Sequence, residues 1–407
     1  MKYLKKYKVF EDFNKVEIHE ICKKYGIENY TINDDGSIDA NGNVSLSRKN
    51  LTKIPLKFRN VKGDFYCSSN LLTSLEGVPQ NVGGDFYCYN NELTSLKGAP
   101  QSVGGDFHCQ DNKLTNLEGA PQSVGGDFLC NNNKLTSLKG VPQNVGGDFY
   151  CYRNELTSLE GAPQSVGGDF HCSYNKLTSL EGVPESISGT FWCNNNQLTS
   201  LEGAPSSVGR GFYCSGSQLT SLEGAPKTIG RDFSCSGNQL TSLEGAPKSV
   251  GGDFRCYDNQ LTSLEGAPKS VGGSFRCYDN QLTSLEGAPK SVGGSFHCQN
   301  NQLTSLEGAP DNIGDTFYLH NNEIKSLEGL LWRSFKRISL MVNPIYPLVG
   351  SWINKKNRDE FIEYFLDMNV IQVDKVILPR LKAFHVDLGL DMNIDFREVE
   401  KYYEIIK

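Results

Sequence analysis

Long apolar runs are missing from this sequence. No stretch approaches the roughly 20 apolar residues that a membrane-spanning helix needs, so no membrane partner is expected. The opening segment, MKYLKKYKVFEDFNKVEIHE, has no apolar core of about 7–15 residues and no small-residue cleavage site, which argues against a secretory leader. Basic excess is missing too: 40 Lys and Arg stand against 47 Asp and Glu, interspersed rather than in blocks, which excludes the electrostatic footprint of a nucleic-acid binder. The 13 cysteines contain no C-x-x-C pair, so the usual zinc-ligand spacing is absent. There is no G-x-S-x-G, no Walker-type loop, no H-E-x-x-H and no dinucleotide fingerprint, and His19-Glu20 lacks the second histidine. An enzyme is therefore not expected, nor a metal or other cofactor.

The cysteines that are present set the organisation. Cys67, Cys88, Cys109, Cys130, Cys151, Cys172, Cys193, Cys214, Cys235, Cys256, Cys277 and Cys298 follow one another at intervals of 21 residues. Leu46 precedes them and Leu319 and Leu340 follow at the same interval, giving fifteen turns from about residue 41 to residue 343. A fixed period of this length is the signature of a solenoid, in which each turn buries its apolar face only against its neighbours. In the turn GGDFYCYNNELTSLKGAPQSV, Phe86 and Cys88 share one face of a short strand and Asp85, Tyr87 and Tyr89 the other. Gly98 and Pro100 then mark a bend with no room for a helix. Stacked turns pair each strand with its copy, making a parallel sheet.

The run F-x-C-x-x-N-x-L-x-x-L, filled by Phe86, Cys88, Asn91, Leu93 and Leu96, resembles the leucine-rich repeat core. The short convex side, L-x-G-x-P, is similar to the repeats of bacterial type III effectors, and LTSL-x-x-x-P-x-S-V to BspA-like repeats. The pattern departs from the family at Val82-Gly83-Gly84, before the strand. The near-identical tandem turns and charged start look in style like repeat proteins of large bacteriophages. The resemblance implies a helix-free solenoid with a parallel sheet. The ligase domain that some such effectors carry does not transfer, because no cysteine follows Cys298.

Three ladders are candidate sites. The cysteines, facing one way in register, are expected to be free thiols of the core, which suits a reducing, cytoplasmic compartment. The asparagines, from Asn70 and Asn91 onward, are expected to satisfy main-chain groups as the chain leaves the strand. The aspartates Asp64, Asp85, Asp106, Asp127, Asp148 and Asp169 fall on the exposed strand face, where like charges repel. Bonding to the backbone, solvation, calcium or an acidic strip facing a partner would each relieve them.

The framework hardly changes between turns, but the positions flanking each cysteine change freely. There stand Tyr87, Tyr89, Tyr150, Tyr152, His171, Trp192, Tyr213, Arg255, Tyr257, Arg276 and Tyr278. Exposed tyrosine, tryptophan and arginine make up the composition of interface hot spots. Recognition is expected to centre on Tyr150, Tyr152, His171, Trp192 and Tyr213.

The expected organisation is an N-terminal cap over residues 1–40, a leucine-rich repeat solenoid over 41–343 and a mainly helical cap over 344–407. Helices are expected at Val16–Tyr25, Arg358–Met368, from Pro379 and at Ile394–Ile406, with a strand at Val370–Leu378. The best functional reading is a monomeric, non-enzymatic protein-binding scaffold, with a host or defence protein as the expected kind of partner. The alternatives are a structural or adhesive spacer on a virion or cell surface, and an acidic mimic of a polyanion.

Overall fold

The computed structural model describes residues 13–330 and 335–407, and each turn before the last contributes two very short parallel strands. In the turn quoted above these are Asn81–Val82 and Phe86–Tyr87. Equivalent residues pair directly, Phe65 with Phe86 and Phe86 with Phe107, so the sequence period is also the register of the sheet. The main-chain ladder runs past the regular strand: Phe86, Cys88 and Asn90 donate to the carbonyls of Asp106, His108 and Gln110 at 2.8, 2.9 and 3.1 Å. The strand conformation ends where Asn90 turns left-handed, with φ of 54°. Asparagine, aspartate or glycine holds that position in most turns because these residues tolerate the conformation best.

The chain divides into two units, Met1–Leu198 with Glu202–Gly209, and Thr199–Leu201 with Arg210–Lys407. In the first, eight strands from Val44–Ser45 to Phe191–Trp192 form the main ladder; in the second, seven run from Phe212–Tyr213 to Arg337–Ser339. Inside each turn Phe86, Cys88, Leu93 and Leu96 are wholly buried. The phenylalanine rings stack through the core, with Phe86 and Phe107 centroids 5.5 Å apart.

The departure at Val82-Gly83-Gly84 is a second parallel ladder. Val82 is buried and pairs with Val61 and Val103. The two glycines after it are fixed by contact between turns. A Cβ on Gly104 would overlap the carbonyl oxygen of Gly83, and one on Gly105 would overlap the Asp85 carboxylate.

The N-terminal helix is Lys15–Tyr25, opened by an Asn14–Glu17 capping box and closed by Gly26 with φ of 67°. The antiparallel pair Tyr30–Ile32 and Ile38–Ala40 follows and leads into the second ladder at Phe58–Val61. At the other end, the Asn354 amide donates to the Ile338 carbonyl at 2.9 Å and accepts its N–H at 3.2 Å, closing the last strand of the main ladder. Helices cover Arg358–Asp367 and Leu378–Asp387. The strand expected at Val370–Leu378 is a hairpin, Ile371–Gln372 with Lys375–Ile377.

The helix expected at Ile394–Ile406 is a correction: only Phe396–Val399 is helical, and Glu404–Ile406 pairs with Lys375–Ile377 as a parallel strand. Two adjacent β-branched isoleucines suit that pairing better than a helix. The Tyr403 hydroxyl anchors the segment on the Lys325 carbonyl at 2.7 Å. The charged start on which the reading of the leader rested falls largely in residues 1–12, outside the described residues. No described helix is long and apolar enough to cross a membrane.

Candidate functional site

The asparagine ladder is structural in its geometry. Asn91 Nδ2 donates to the carbonyls of Cys67, Cys88 and Tyr89 at 3.1, 3.0 and 3.3 Å, and its Oδ1 accepts the Leu72 N–H at 3.1 Å. One amide thus joins three carbonyls and the Leu72 N–H of two successive turns, keeping the main-chain polar groups at the strand exit paired. The cysteines are free and buried, and burial pushes the Cys172 thiol far above its ordinary value. Among the described residues no His, Cys, Asp and Glu group is arranged to hold a metal ion.

The aspartate row is half-buried rather than exposed, and it is tied to the backbone. Oδ1 of each aspartate from Asp64 to Asp148 accepts the N–H of the next, at 2.7–2.9 Å, and Asp169 accepts the N–H of Thr190. The second oxygen is met by the residue two places on: Tyr66, Tyr87 and Tyr150 donate to Asp64, Asp85 and Asp148 at 2.8, 2.8 and 2.9 Å. Donors on both oxygens relieve the repulsion at Asp64, Asp85 and Asp148.

The row also explains the second glycine. Each of the eight aspartates at this position, Asp64 to Asp169 together with Asp232 and Asp253, is followed twenty residues later by glycine. Arg210, Arg231, Asp315 and Lys336 take the glycine's place only after Thr190, Gly211, Ser295 and Thr316.

The variable strand face is half-buried as well, because side chains of successive turns pack on one another. In the first unit Tyr87 lies 4.9 Å from Tyr66 and 4.7 Å from His108, with Tyr89 6.3 Å from Tyr87. Further along, His171 stacks on Tyr152 at 4.4 Å and contacts Tyr150 at 5.8 Å and Trp192 at 5.2 Å. The structure therefore brings together four of the five residues expected at the centre of recognition. Burial lowers the His171 imidazole to about 4, so the ring is neutral at physiological pH.

The fifth, Tyr213, belongs to the second unit, where its hydroxyl donates to Asp232 at 2.9 Å. In that unit Arg255 bridges Asp253 at 2.8 Å and Asp232 at 3.3 Å, and Arg276 pairs with Asp253. These two arginines are committed to the acidic ladder. Tyr257 and Tyr278 stack at 4.5 Å.

Two residues beside the first patch went unnoticed in the sequence. Arg153 and Tyr174 hold the left-handed position, with φ of 53° and 56°, where neighbouring turns have Asn132 and Asn195. The Arg153 guanidinium lies 5.6 Å over the Tyr174 ring, which is 52% exposed. A bulky residue in this conformation costs stability and tends to mark a functional surface. The signal was available as an arginine and a tyrosine in a column of small polar residues.

No protein-family model matches the chain, and no curated protein does. Among solved structures, YopM from Yersinia enterocolitica WA-314 is 23% identical with a TM-score of 0.52, the match covering 74% of this chain and 69% of that one. YopM from Yersinia pestis, a leucine-rich effector protein, is 22% identical with a TM-score of 0.51, covering 74% and 83%. The functional domain of InlJ from Listeria monocytogenes, which includes a cysteine ladder, is 18% identical with a TM-score of 0.43, covering 74% and 73%. The fold shared with the two YopM structures is the leucine-rich repeat solenoid.

Proposed function

We propose that this leucine-rich repeat solenoid is a non-enzymatic scaffold that binds a protein partner through the variable strand face of its first unit. The observation that carries the reading is the group Tyr150, Tyr152, His171 and Trp192. Four large rings interrupt an otherwise repeated framework and pack together on one face. Arg153 and Tyr174 extend the same patch past the strand end. Rings held by their neighbours lose little freedom on binding, which is how aromatic anchors contribute most of an interface's energy.

The test begins with capture of a partner from lysate by the full chain, followed by titration calorimetry with the purified partner. Trp192→Ala is expected to weaken binding by ~2 kcal/mol or more. Its far-UV circular dichroism should match the wild type, and Glu160→Ala, on the opposite side of the turn, should bind as wild type does. Equal affinity for the wild type, Trp192→Ala and Tyr152→Ala would place recognition off this face.

A further inference from the structure

Five of the six aspartates in the row are followed two residues later by tyrosine or histidine; Asp127 is followed by Leu129. Asp127 Oδ1 accepts the Asp148 N–H at 2.7 Å, but Oδ2 receives no hydrogen bond from any described residue. Asp64, Asp85 and Asp148 are better served, each taking a tyrosine hydroxyl on Oδ2 at 2.8, 2.8 and 2.9 Å. Burial, together with the charges of Asp106 and Asp148, raises the Asp127 carboxyl above its ordinary value.

Leu129 pairs with His108 on one side and Tyr150 on the other, so a short aliphatic side chain sits between two rings. Beyond it on the same face is Asn131, only 3% exposed, whose Oδ1 has no donor. The Oε1 of Gln110, one turn away, has none either. Phe128 and Cys130, the alternate residues, point into the core, which fixes Asp127, Leu129 and Asn131 on the outward side. Buried acceptors without donors are rare in folded proteins. Here two of them and a half-satisfied carboxylate flank one apolar floor. What that arrangement lacks is hydrogen-bond donors, positive charge and an aliphatic stem.

We propose that Asp127, Leu129 and Asn131 form a receptor for a basic side chain, arginine in the first place, presented by the protein partner. The inference rests on the reading of the strand face as a binding surface and names the chemistry it selects. The methylene stem lies on Leu129 between His108 and Tyr150, and the guanidinium donates to the free Asp127 oxygen. Arginine suits the site better than lysine because its planar fork can donate more than one bond to a carboxylate, where an ammonium is a point charge. Asp64, Asp85 and Asp148 are closed to such a ligand by their own tyrosines, and Asp253 by Arg255 and Arg276.

The test uses the full chain with methyl-labelled leucine, titrated with N-acetyl-argininamide. The Leu129 methyl resonances, identified by their loss in Leu129→Tyr, should shift saturably. The isosteric, neutral N-acetyl-citrullinamide should bind at least about tenfold more weakly, since a charge-assisted bond is lost. N-acetyl-lysinamide should fall between the two, and Asp127→Asn should abolish the response. No saturable shift, equal response to citrulline, or a response kept in Asp127→Asn would overturn the receptor.

A second arm uses the captured partner. Leu129→Tyr, which supplies the hydroxyl that Tyr150 gives Asp148, should weaken it at least about fivefold through loss of that same bond. If Trp192→Ala weakens the partner and Leu129→Tyr does not, the strand face stands and the receptor falls. If neither matters, both fall.

Discussion

Cys172 illustrates the chemistry of a single position. Its sulfur is wholly buried, and the thiol, when it donates at all, reaches the Trp192 carbonyl at 3.3 Å. Burial favours the neutral thiol so strongly that the thiolate, the reactive form, is absent at neutral pH. The side chain acts as a small hydrophobe of fixed volume. Cys172→Val is therefore expected to cost less than about 1.5 kcal/mol, as near-isosteric core changes do. Cys172→Asp places a charge with no partner among stacked thiols and is expected to cost more than about 4 kcal/mol. Amide hydrogen exchange around residue 172 provides the measurement. Unchanged protection in the aspartate variant would mean that this column does not face the core.

At the scale of the turn, Asp85 and Gly105 act as one device. The carboxylate of one turn curls over the next to accept its N–H, and only a residue without Cβ leaves room for it. Gly105→Ala is expected to destabilise the chain by about 1–3 kcal/mol through overpacking. In an Asp85→Ser background the added cost should shrink by about 1 kcal/mol, because a hydroxyl is smaller and can still accept the bond. Ser274 does so in its own turn, accepting from Ser295 at 3.2 Å. Denaturant unfolding of the four variants measures the coupling, and strictly additive costs would contradict the device.

The period made part of this legible in advance. The inward Phe86 and Cys88, the Asn91 amide and the parallel register all follow from reading one turn and stacking it. The second ladder did not, because two-residue strands such as Asn81–Val82 leave no alternation to detect. Nor did the coupling of Asp85 to Gly105, which lie twenty residues apart and become neighbours only once the register is known. The half-burial of the strand face was missed for the same reason: Tyr152 is covered by His171, a residue of another turn. The segment after Asp395 misled because its polar and apolar spacing suits a helix, while its pairing partner, Lys375–Ile377, is remote in sequence.

For the molecule as a whole, the proposed function assigns stability and recognition to different residues. Phenylalanine, cysteine, asparagine and leucine repeat because every turn needs the same core. On the proposed reading, the strand face varies because the partner it meets is not periodic. Of the candidate positions, the group in the first unit combines grouped rings, a strained Arg153–Tyr174 rim and an aspartate with an unused oxygen, whereas Arg255 and Arg276 are occupied within their own ladder. The most direct measurement is the hydrogen-exchange footprint of the full chain with and without its purified partner. The account predicts new protection in residues 127–132, 149–153 and 170–174, with the opposite side of those turns unchanged. Protection confined to residues 344–407 would contradict it.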